Sequence, residues 1–530
     1  MNDGARAALS AVVALAALAA GSCVVGPDFK RPAPPGVDGY LPPADAAPGS
    51  GPPQAAANGA NPANPASAAS AGEAAQRIAL GEQVPAAWWE LFHCARLDET
   101  LRQAIAASNS LAAARATLAQ AREAIVEARA GLYPQLDLGA SARHASGGVA
   151  GSGGAGAGGG GNLFSIGPNA SYSIDAFGGT RRRVEQETAL AENQRYQLAA
   201  AYLTLTGNSV TAAIAIASTR LQIATVEDLI KNDQKNLALV QRELDAGKVA
   251  RSEVLTAAAQ LESDRTQLPG LHQQLSVARH ALAVLAGRAP AAWSPPEFDI
   301  AEFTLPDDLP LSLPSELVRR RPDILAAEAQ LHADSAGIGV ATAQLYPSIT
   351  LSASLVQESA ALARLLEAAG RAWTVGGSFD APLYRGGALG AARRAAVDAY
   401  DAQLATYRQT ILLAFGQVAD ALCALEHDAE LVAASRRALD IAGASLALQR
   451  SSYAAGKTSA LQLIVAENTY SDARLGSARA TAQRLADTAQ LFIAAGGSWW
   501  NGGEPAPGPG SPAAGPPPPP PPPQPGQPKH

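Results

Sequence analysis

The chain alternates between two hydrophobic periods. Over residues 315–344, Ala, Leu and Ile recur at three- and four-residue spacing, which predicts a helix with Ser315 as its N-cap. From Tyr346 to residue 357, apolar and polar residues alternate strictly, which is typical of a strand with one apolar and one polar face. Pro347 lies at the change of period, where its ring disfavours helix for the residue before it.

The same helix-to-strand joint occurs in the first half of the chain. Leu-Tyr-Pro stands at 132–134 and again at 345–347, 213 positions apart, and alternation follows both copies. The stretch 237–248 also resembles 446–457, at a separation of 209 positions. We therefore predict a tandem duplication with about 200 residues in each half, which is far longer than the unit of a solenoid.

Each half is predicted to contain two strands and several helices. The first half is assigned a helix over 97–130, strands over 135–144 and 162–176, a helix over 180–244, and a further helix that Pro269 kinks. The second half is assigned strands over 346–357 and 372–383 and helices over 390–455 and 459–495. The helix predicted over 180–244 would extend about 100 Å, which indicates a tube or coiled coil rather than a globular domain.

The N-terminus has the composition of a secretory signal. Residues 7–20 form an apolar core that is too short to span a membrane. Small residues then precede Cys23, which predicts lipoprotein processing with acylation of Cys23; the alternative is ordinary cleavage with an incidental cysteine. The predicted division of the chain is a signal peptide (1–22), a lipidated, extended low-complexity linker (23–85), a first repeat (86–290), a connector (291–314), a second repeat (315–499) and a disordered Pro-rich tail (500–530).

Composition and motifs exclude several classes of protein. The net charge of −7 gives no reason to expect nucleic acid as a partner. No nucleophile elbow or phosphate-binding loop is present, and Cys423 with His427 supplies only two ligands, so we expect neither an enzyme nor a metal site. Cys94 and Cys423 are expected to be buried free thiols, although a disulfide between them stays open.

No apolar run reaches the roughly 18 residues of a spanning helix, so membrane crossing requires strands closed into a barrel.

Several motifs in one order resemble a known family. They are the run Val24-Val25-Gly26-Pro27-Asp28-Phe29 after Cys23, Trp88-Trp89, Arg320-Arg321-Pro322-Asp323-Ile324, and Gly496-Gly497-Ser498-Trp499. Together they resemble the lipoprotein outer-membrane efflux factors, the TolC-like class that serves tripartite RND pumps and includes NodT- and OprM-like channels. The resemblance covers residues 23–499.

The resemblance implies a fold, a location and a set of partners. The fold is α+β: a homotrimer with a 12-stranded β-barrel in the outer membrane of a Gram-negative bacterium, four strands from each protomer, continued by a long α-helical coiled-coil barrel in the periplasm. The function it implies is a passive conduit for small molecules, working with a periplasmic adaptor (a membrane fusion protein) and an inner-membrane RND-type pump. No cofactor is implied apart from the lipid on Cys23.

The resemblance also places a gate beside the two helix turns. The apolar ring of relatives falls on Leu461, and their frequent aspartates fall on Gln462 and Val465, so a neutral aperture is expected here. The acidic and tyrosine members of their gating network between helices fall on Glu253 and Tyr453.

The turns themselves are expected to contact the adaptor. The candidate adaptor-binding residues are Gly247, Lys248, Gly456 and Lys457. Two alternatives stay open at this stage: a TolC-like conduit for secreted protein, and a structural coiled-coil lipoprotein without a pore. Four amphipathic strands in two matched pairs argue against the second alternative, and the lipoprotein end favours efflux over protein secretion.

Overall fold

The computed structural model describes residues 24–33, 39–40, 76–145, 161–367 and 370–497. The predicted signal peptide, Cys23 and the Pro-rich tail lie outside these residues. The helices are α1 (Ala95–Ala107), α2 (Asn109–Ala130), α3 (Gly179–Asp245), α4 (Arg251–Arg265), α5 (Gln267–Leu285), α6 (Pro314–Leu317), α7 (Pro322–Ala343), α8 (Ala388–Ala454) and α9 (Ala460–Ala494). The strands are β1 (Arg77–Leu80), β2 (Gln135–Ala145), β3 (Gly161–Ile174), β4 (Asp308–Leu311), β5 (Ser348–Ser359) and β6 (Arg371–Asp380).

The two halves repeat one order of elements. In each half a helix leads into two strands and then into a helix of 67 residues; the chain returns through α4 and α5 in the first half and through α9 in the second. A helix of 67 residues is about 100 Å long. Helix α3 packs against α2, α4, α5, α7 and α9, whereas α8 packs against α7 and α9. Helix α3 therefore connects the two halves along much of the molecule.

The main sheet is antiparallel, in the order β2-β3-β5-β6. The β3–β5 pair, in which Tyr172 lies opposite Leu351, joins strands from the two halves. Because side chains alternate between faces, the register sets Leu138, Tyr172, Leu351 and Trp373 on one face and serines and threonines on the other. Trp373 is 74% exposed in the protomer. Strands β2 and β6 form the two edges of the sheet.

Three predicted helices are interrupted in the structure. The helix predicted over 97–130 breaks at Ser108, whose side chain accepts a hydrogen bond from Leu111 N and so caps α2. The helix predicted from Ser315 is two helices, because Pro322 begins α7 and forces the preceding residue out of helical conformation. Ser315 is not an N-cap, since the short α6 begins one residue earlier, at Pro314. Instead of the predicted kink at Pro269, the helix breaks at Thr266. Pro269 therefore lies in the first turn of α5, where the absence of its N–H costs little because no intrahelical acceptor is available there.

Parts of the predicted linker and connector contribute to the body. Strand β1, from the range 23–85, pairs in parallel with β4, from the connector. These two strands lie beside a core of large aromatic residues. In this core the ring centroids of Trp88 and Phe492 are 5.6 Å apart, and Phe298 is fully buried. The short strands were missed because four residues leave too little alternation to recognise.

The segment 24–33 is extended but fixed to the body. Val25 N donates to Phe177 O at 3.1 Å, just after β3. The buried guanidinium of Arg182 donates to Asp28 Oδ1 at 2.7 Å. Gly26 has φ +97°, and a Cβ there would lie 2.4 Å from Gly339 Cα. The Val-Gly-Pro-Asp motif therefore has a packing role that only glycine can fill.

Within the part of the chain that the structure describes, two helices are long and apolar enough to span a membrane, by length and composition alone. Helices α3 and α8 each contain an 18-residue window with mean hydropathy of 1.3 and 1.2 respectively. Neither helix contains an uninterrupted apolar run of that length, so the amino-acid pattern alone does not single them out. Half of the window in α3 is buried within the protomer, as in the core helix of a soluble protein.

The wall between α3 and α4 contains a buried pair of acids. Asp233 is 2% exposed and Asp264 is 4% exposed. Burial, followed by the neighbouring carboxyl of Asp264 and the charge of Glu467, raises the pKa of Asp233 to about 7. The folded protein therefore holds a proton that the unfolded chain releases at a pH of about 4. The free energy of unfolding should fall as pH rises between these two values, because deprotonation favours the unfolded state.

We expect Asp233→Asn to raise the melting temperature at pH 8 and to raise it much less at pH 5. The amide resembles the protonated acid, so the gain in the free energy of unfolding at pH 8 should be on the order of 4 kcal/mol. The measurement is thermal unfolding of the purified protein at both pH values. Asp472→Asn, an exposed residue on α9, is the matched control. Equal changes in melting temperature for the two substitutions at pH 8 would contradict the raised pKa of Asp233.

Candidate functional site at the helix turns

The turns after the two long helices have the same backbone structure. Gly247 and Gly456 have φ of +73° and +68°. Lys248 N donates to Glu243 O at 2.8 Å, and Lys457 N donates to Ser452 O at 2.9 Å. These bonds, which span five residues, together with the left-handed glycine, define a Schellman motif. The glycines are needed because a left-handed residue with a Cβ is strained.

Both turns are open on their outer side. A Cβ on Gly247 or Gly456 would find no atom within 4 Å, and Lys248 and Lys457 are exposed. The four predicted adaptor-binding residues therefore form two similar, accessible turns at the same end of the helices.

A hydrogen bond joins the ends of the two long helices. Tyr453 Oη donates to Glu243 Oε1 at 2.7 Å, from α8 to α3. Desolvation, followed by this carboxylate, raises the pKa of Tyr453 to about 12, so the phenol remains a donor at physiological pH. Glu253 is half-buried and has no side-chain hydrogen bond to another described residue, so its role in a gating network stays a prediction. The sequence analysis missed Glu243, although it occupies the last turn of α3 as Tyr453 occupies that of α8.

A second polar link lies further from the turns and was not predicted. The carboxylate of Glu467, 6% exposed, accepts from Asn236 Nδ2 at 2.5 Å and from an Arg450 terminal nitrogen at 3.0 Å. It therefore connects α9 to both α3 and α8. No sequence signal distinguishes Glu467 from a glutamate on a solvated helix face, because its partners come from two other helices.

The predicted aperture residues lie on one side of the first turns of α9. Leu461 is 44% exposed and Val465 is 57% exposed, and Gln462 between them is also exposed. Their neighbours Leu463 and Ile464 are buried. The Ser459 side chain accepts from Gln462 N and so begins α9 at this point. None of these three exposed residues is charged. Their side of α9 can face either a pore or another subunit.

The arginine motif of the second half lies at the other end of α9. The Arg321 guanidinium donates to Ala494 O at 2.7 Å, and it also bonds Asp323 and Gln417. It thereby satisfies a carbonyl at the C-terminus of α9, which has no partner within its own helix. This motif stabilises the body and takes no part in the turns.

Comparison with known proteins identifies the family. A family model described as outer membrane efflux protein matches residues 100–288 and 313–497, which lie in both halves. The chain is 30% identical over 416 residues to the pyoverdine export outer membrane protein OpmQ of Pseudomonas aeruginosa, across 78% of this chain and 87% of that protein. The chain belongs to the outer membrane efflux protein family.

Further comparisons agree in function and in structure. The chain is 29% identical over 376 residues to the cation efflux system protein CusC of Escherichia coli, across 69% of this chain and 78% of that protein. The solved structure of the outer-membrane channel OprN superposes with a TM-score of 0.76 at 27% identity, covering 90% of this chain and all of that chain. This efflux protein is therefore an outer-membrane channel component of an efflux system, with a large periplasmic helical part.

The described residues of this efflux protein contain no group of three or more His, Cys, Asp or Glu side chains placed to hold a metal ion. Cys94 is a buried free thiol, and Cys423 is free and half-buried, so the disulfide between them does not form. Members of the family are channels rather than enzymes.

We expect Tyr453→Phe to loosen the helix turns. The substitution removes a hydrogen bond to a carboxylate, which contributes about 2 kcal/mol. Amide protons of residues 246–248 should then exchange several-fold faster in hydrogen–deuterium exchange measured by mass spectrometry. Tyr470→Phe is the matched control, because its hydroxyl bonds no described residue. Unchanged exchange in Tyr453→Phe would show that the hydrogen bond does not hold the turns together.

Proposed function

We propose that three copies of this efflux protein form a continuous tube, with a 12-stranded barrel in the outer membrane and a helical barrel in the periplasm. The observation that carries the proposal is the four-stranded sheet, with one apolar face and two open edges. Its strands of 10–14 residues are long enough to span a bilayer, which takes about 9–11 residues. An open strand edge is not tolerated in lipid and four strands cannot close, so neighbouring copies must pair β2 with β6.

Exposed apolar residues on the helices support the same assembly. On α8, Leu431, Ile441 and Leu448 are 51%, 70% and 64% exposed. On α4 and α5, Leu255 and Val277 are 61% and 60% exposed. A long helix in water rarely presents so many large apolar side chains, and packing against neighbouring copies would bury them.

The tube is closed at the helix turns in its resting state. In a trimer, Leu461, Gln462 and Val465 from three copies form a neutral ring, which blocks ions by its apolar character rather than by charge. The links of Tyr453 to Glu243 and of Glu467 to its two partners hold the hairpins in the closed position. Glu253, half-buried near the first turn, contributes to the same network.

The adaptor and pump open the closed end. The turns at Gly247-Lys248 and Gly456-Lys457 receive helical hairpins of a periplasmic adaptor, which connects the channel to an RND-type pump in the inner membrane. Their open outer sides and shared backbone structure suit a repeated contact around the tube. The channel itself is passive, and the pump supplies the energy.

The cargo is a small molecule. OpmQ is named for pyoverdine export and CusC for cation efflux, which favours small solutes over secreted protein. Which solute this channel carries is set by its pump.

The conductance of single channels in planar bilayers tests the gate. We expect small or silent currents from the wild type and larger currents from Leu461→Ala/Gln462→Ala, because truncation widens the ring. Leu412→Ala, an exposed substitution in the middle of α8, is the control and should behave as the wild type does. A wild type that is already open would refute this position of the gate. If neither the wild type nor any variant conducts although all of them form trimers, the result would count against a conduit.

The proposed lipid on Cys23 has a separate test. Val25, two residues after the proposed attachment site, donates its N–H to Phe177 O just after β3. We expect intact-mass spectrometry of the mature protein to show an N-terminus at residue 23 with added acyl chains. Cys23→Ser should abolish the added mass, whereas Cys94→Ser should retain it. An unmodified wild-type N-terminus would favour ordinary signal cleavage.

A further inference from the structure

A short helix, α4, carries the chain from the first turn back along α3, and it is weakly packed. Of its 15 residues, only Ala257, Leu261 and Asp264 are buried. Isolated helices of this length are marginal in water, so α4 depends on its contacts with the rest of the protein. Because it buries a single large apolar side chain, the contact made by Asp264 carries unusual weight in holding α4 against α3.

The junction between α4 and α5 is a point at which the chain can bend. Helix α4 ends at Arg265, and Pro269 in the first turn of α5 has no N–H that could continue the hydrogen-bond pattern across the junction. Helix α5, beyond the junction, is held by four buried side chains: Leu271, Leu275, Leu282 and Ala283. A bend at Thr266 would therefore move α4 and leave α5 in place.

Asp264 lies at this junction and connects three helices. Its Oδ2 accepts from Gln260 Nε2 at 2.9 Å within α4, and its Oδ1 accepts from Gln267 Nε2 at 3.0 Å in α5. Toward α3 it faces the carboxyl of Asp233, which donates to it when protonated. Two amide donors favour the charged form of Asp264, so the proton of the pair belongs on Asp233.

The charges around the pair do not compensate a second negative charge. Helices α4 and α9 pack against α3 here, and they present the carboxyls of Asp264 and Glu467 to Asp233. The Arg450 guanidinium is bonded to Glu467, and Asp233 Oδ2 has no hydrogen-bond partner among the described residues. The remaining charged groups of this region are paired or exposed: Glu262 with Arg265, Asp228 with Lys231 and Arg474, and Lys235 in solvent.

We propose that Asp233 and Asp264 form a proton-dependent latch, which ties α4 to α3 when it holds one proton and releases α4 when it holds none. With the proton, the pair is a buried hydrogen bond to a carboxylate, which is a strong contact. Without it, two carboxylates are buried side by side, and both repulsion and the cost of desolvation favour their separation. Helix α4 then swings away from α3 about the junction at Thr266, and water reaches both carboxyls.

The direction of the pH dependence follows from the two positions of α4. In the closed position the pKa of Asp233 is raised to about 7, first by burial and then by the neighbouring carboxyls. In the open position the acid is hydrated, and its pKa returns to about 4. Opening should therefore become more favourable as pH rises between these values and level off above pH 7.

Release of α4 would also move the first turn, because α4 begins directly after Gly247 and Lys248. Neutral or alkaline pH would then prepare this end of the protein for rearrangement, whereas acidic pH would keep it fixed. This consequence for the adaptor-binding turns rests on the proposed function, but the latch itself does not.

Hydrogen–deuterium exchange of the purified full-length protein at pH 5.5 and pH 8 tests the latch. Rates are corrected for the known pH dependence of exchange in unstructured peptides. We expect the amides of α4 to lose protection by at least about tenfold at pH 8, while those of α5 keep theirs. Asp233→Asn and Asp264→Asn should each abolish the difference between the two pH values in α4. Asp472→Asn, exposed on α9, should retain it.

Three results would overturn the latch. Equal protection of α4 at both pH values in the wild type would show that no release occurs. Equal loss of protection in α4 and α5 would show a general loss of stability rather than a bend between the two helices. A pH dependence that persists in both Asp233→Asn and Asp264→Asn would assign it to other groups. Exchange is measured without any current, so failure of the latch and failure of the proposed conduit are distinguishable.

Discussion

The need to pair every backbone polar group in lipid governs the whole molecule. The sheet presents an apolar face over four strands, and its outer strands β2 and β6 each have one edge without a partner in the protomer. In water such edges aggregate, and in hydrocarbon each unpaired N–H or C=O costs several kcal/mol. In the proposed trimer these edges pair between neighbouring copies, which satisfies the constraint.

The two long helices extend about 100 Å, and close packing rather than a broad core stabilises them along this length. Small residues allow α3 to approach several helices closely, and Gly207 is one such contact, where a Cβ would lie 2.5 Å from Ile493. Large aromatic residues are instead concentrated near Trp88, Phe298 and Phe492, beside the short sheet of β1 and β4. The body thus has a core rich in large aromatic residues, beside which the long helices pack closely.

Polar contacts replace apolar packing toward the turns. Tyr453, Glu243 and Glu467 connect α3, α8 and α9 through directional hydrogen bonds. Such bonds are strong when made and costly when one partner is left alone, so they favour two discrete arrangements over gradual loosening. The closed end proposed above, which opens on contact with a partner, suits this kind of link better than a hydrophobic core. The buried acid Asp233, whose pKa is raised, adds a dependence on pH to the same wall.

The amino-acid pattern alone determined the duplication, the four strands, the two very long helices and the glycine turns. These follow from local periodicity and from residues with special backbone freedom, which act within a few positions of the chain. Ser108 and Pro322 show the limit of that reasoning, because their breaks lie within stretches whose spacing reads as one helix. The tertiary structure alone decided that Tyr453 bonds Glu243 rather than Glu253, and that Arg321 caps α9. These contacts join residues that lie far apart in the chain, and their distances depend on how helices pack, which no local pattern records.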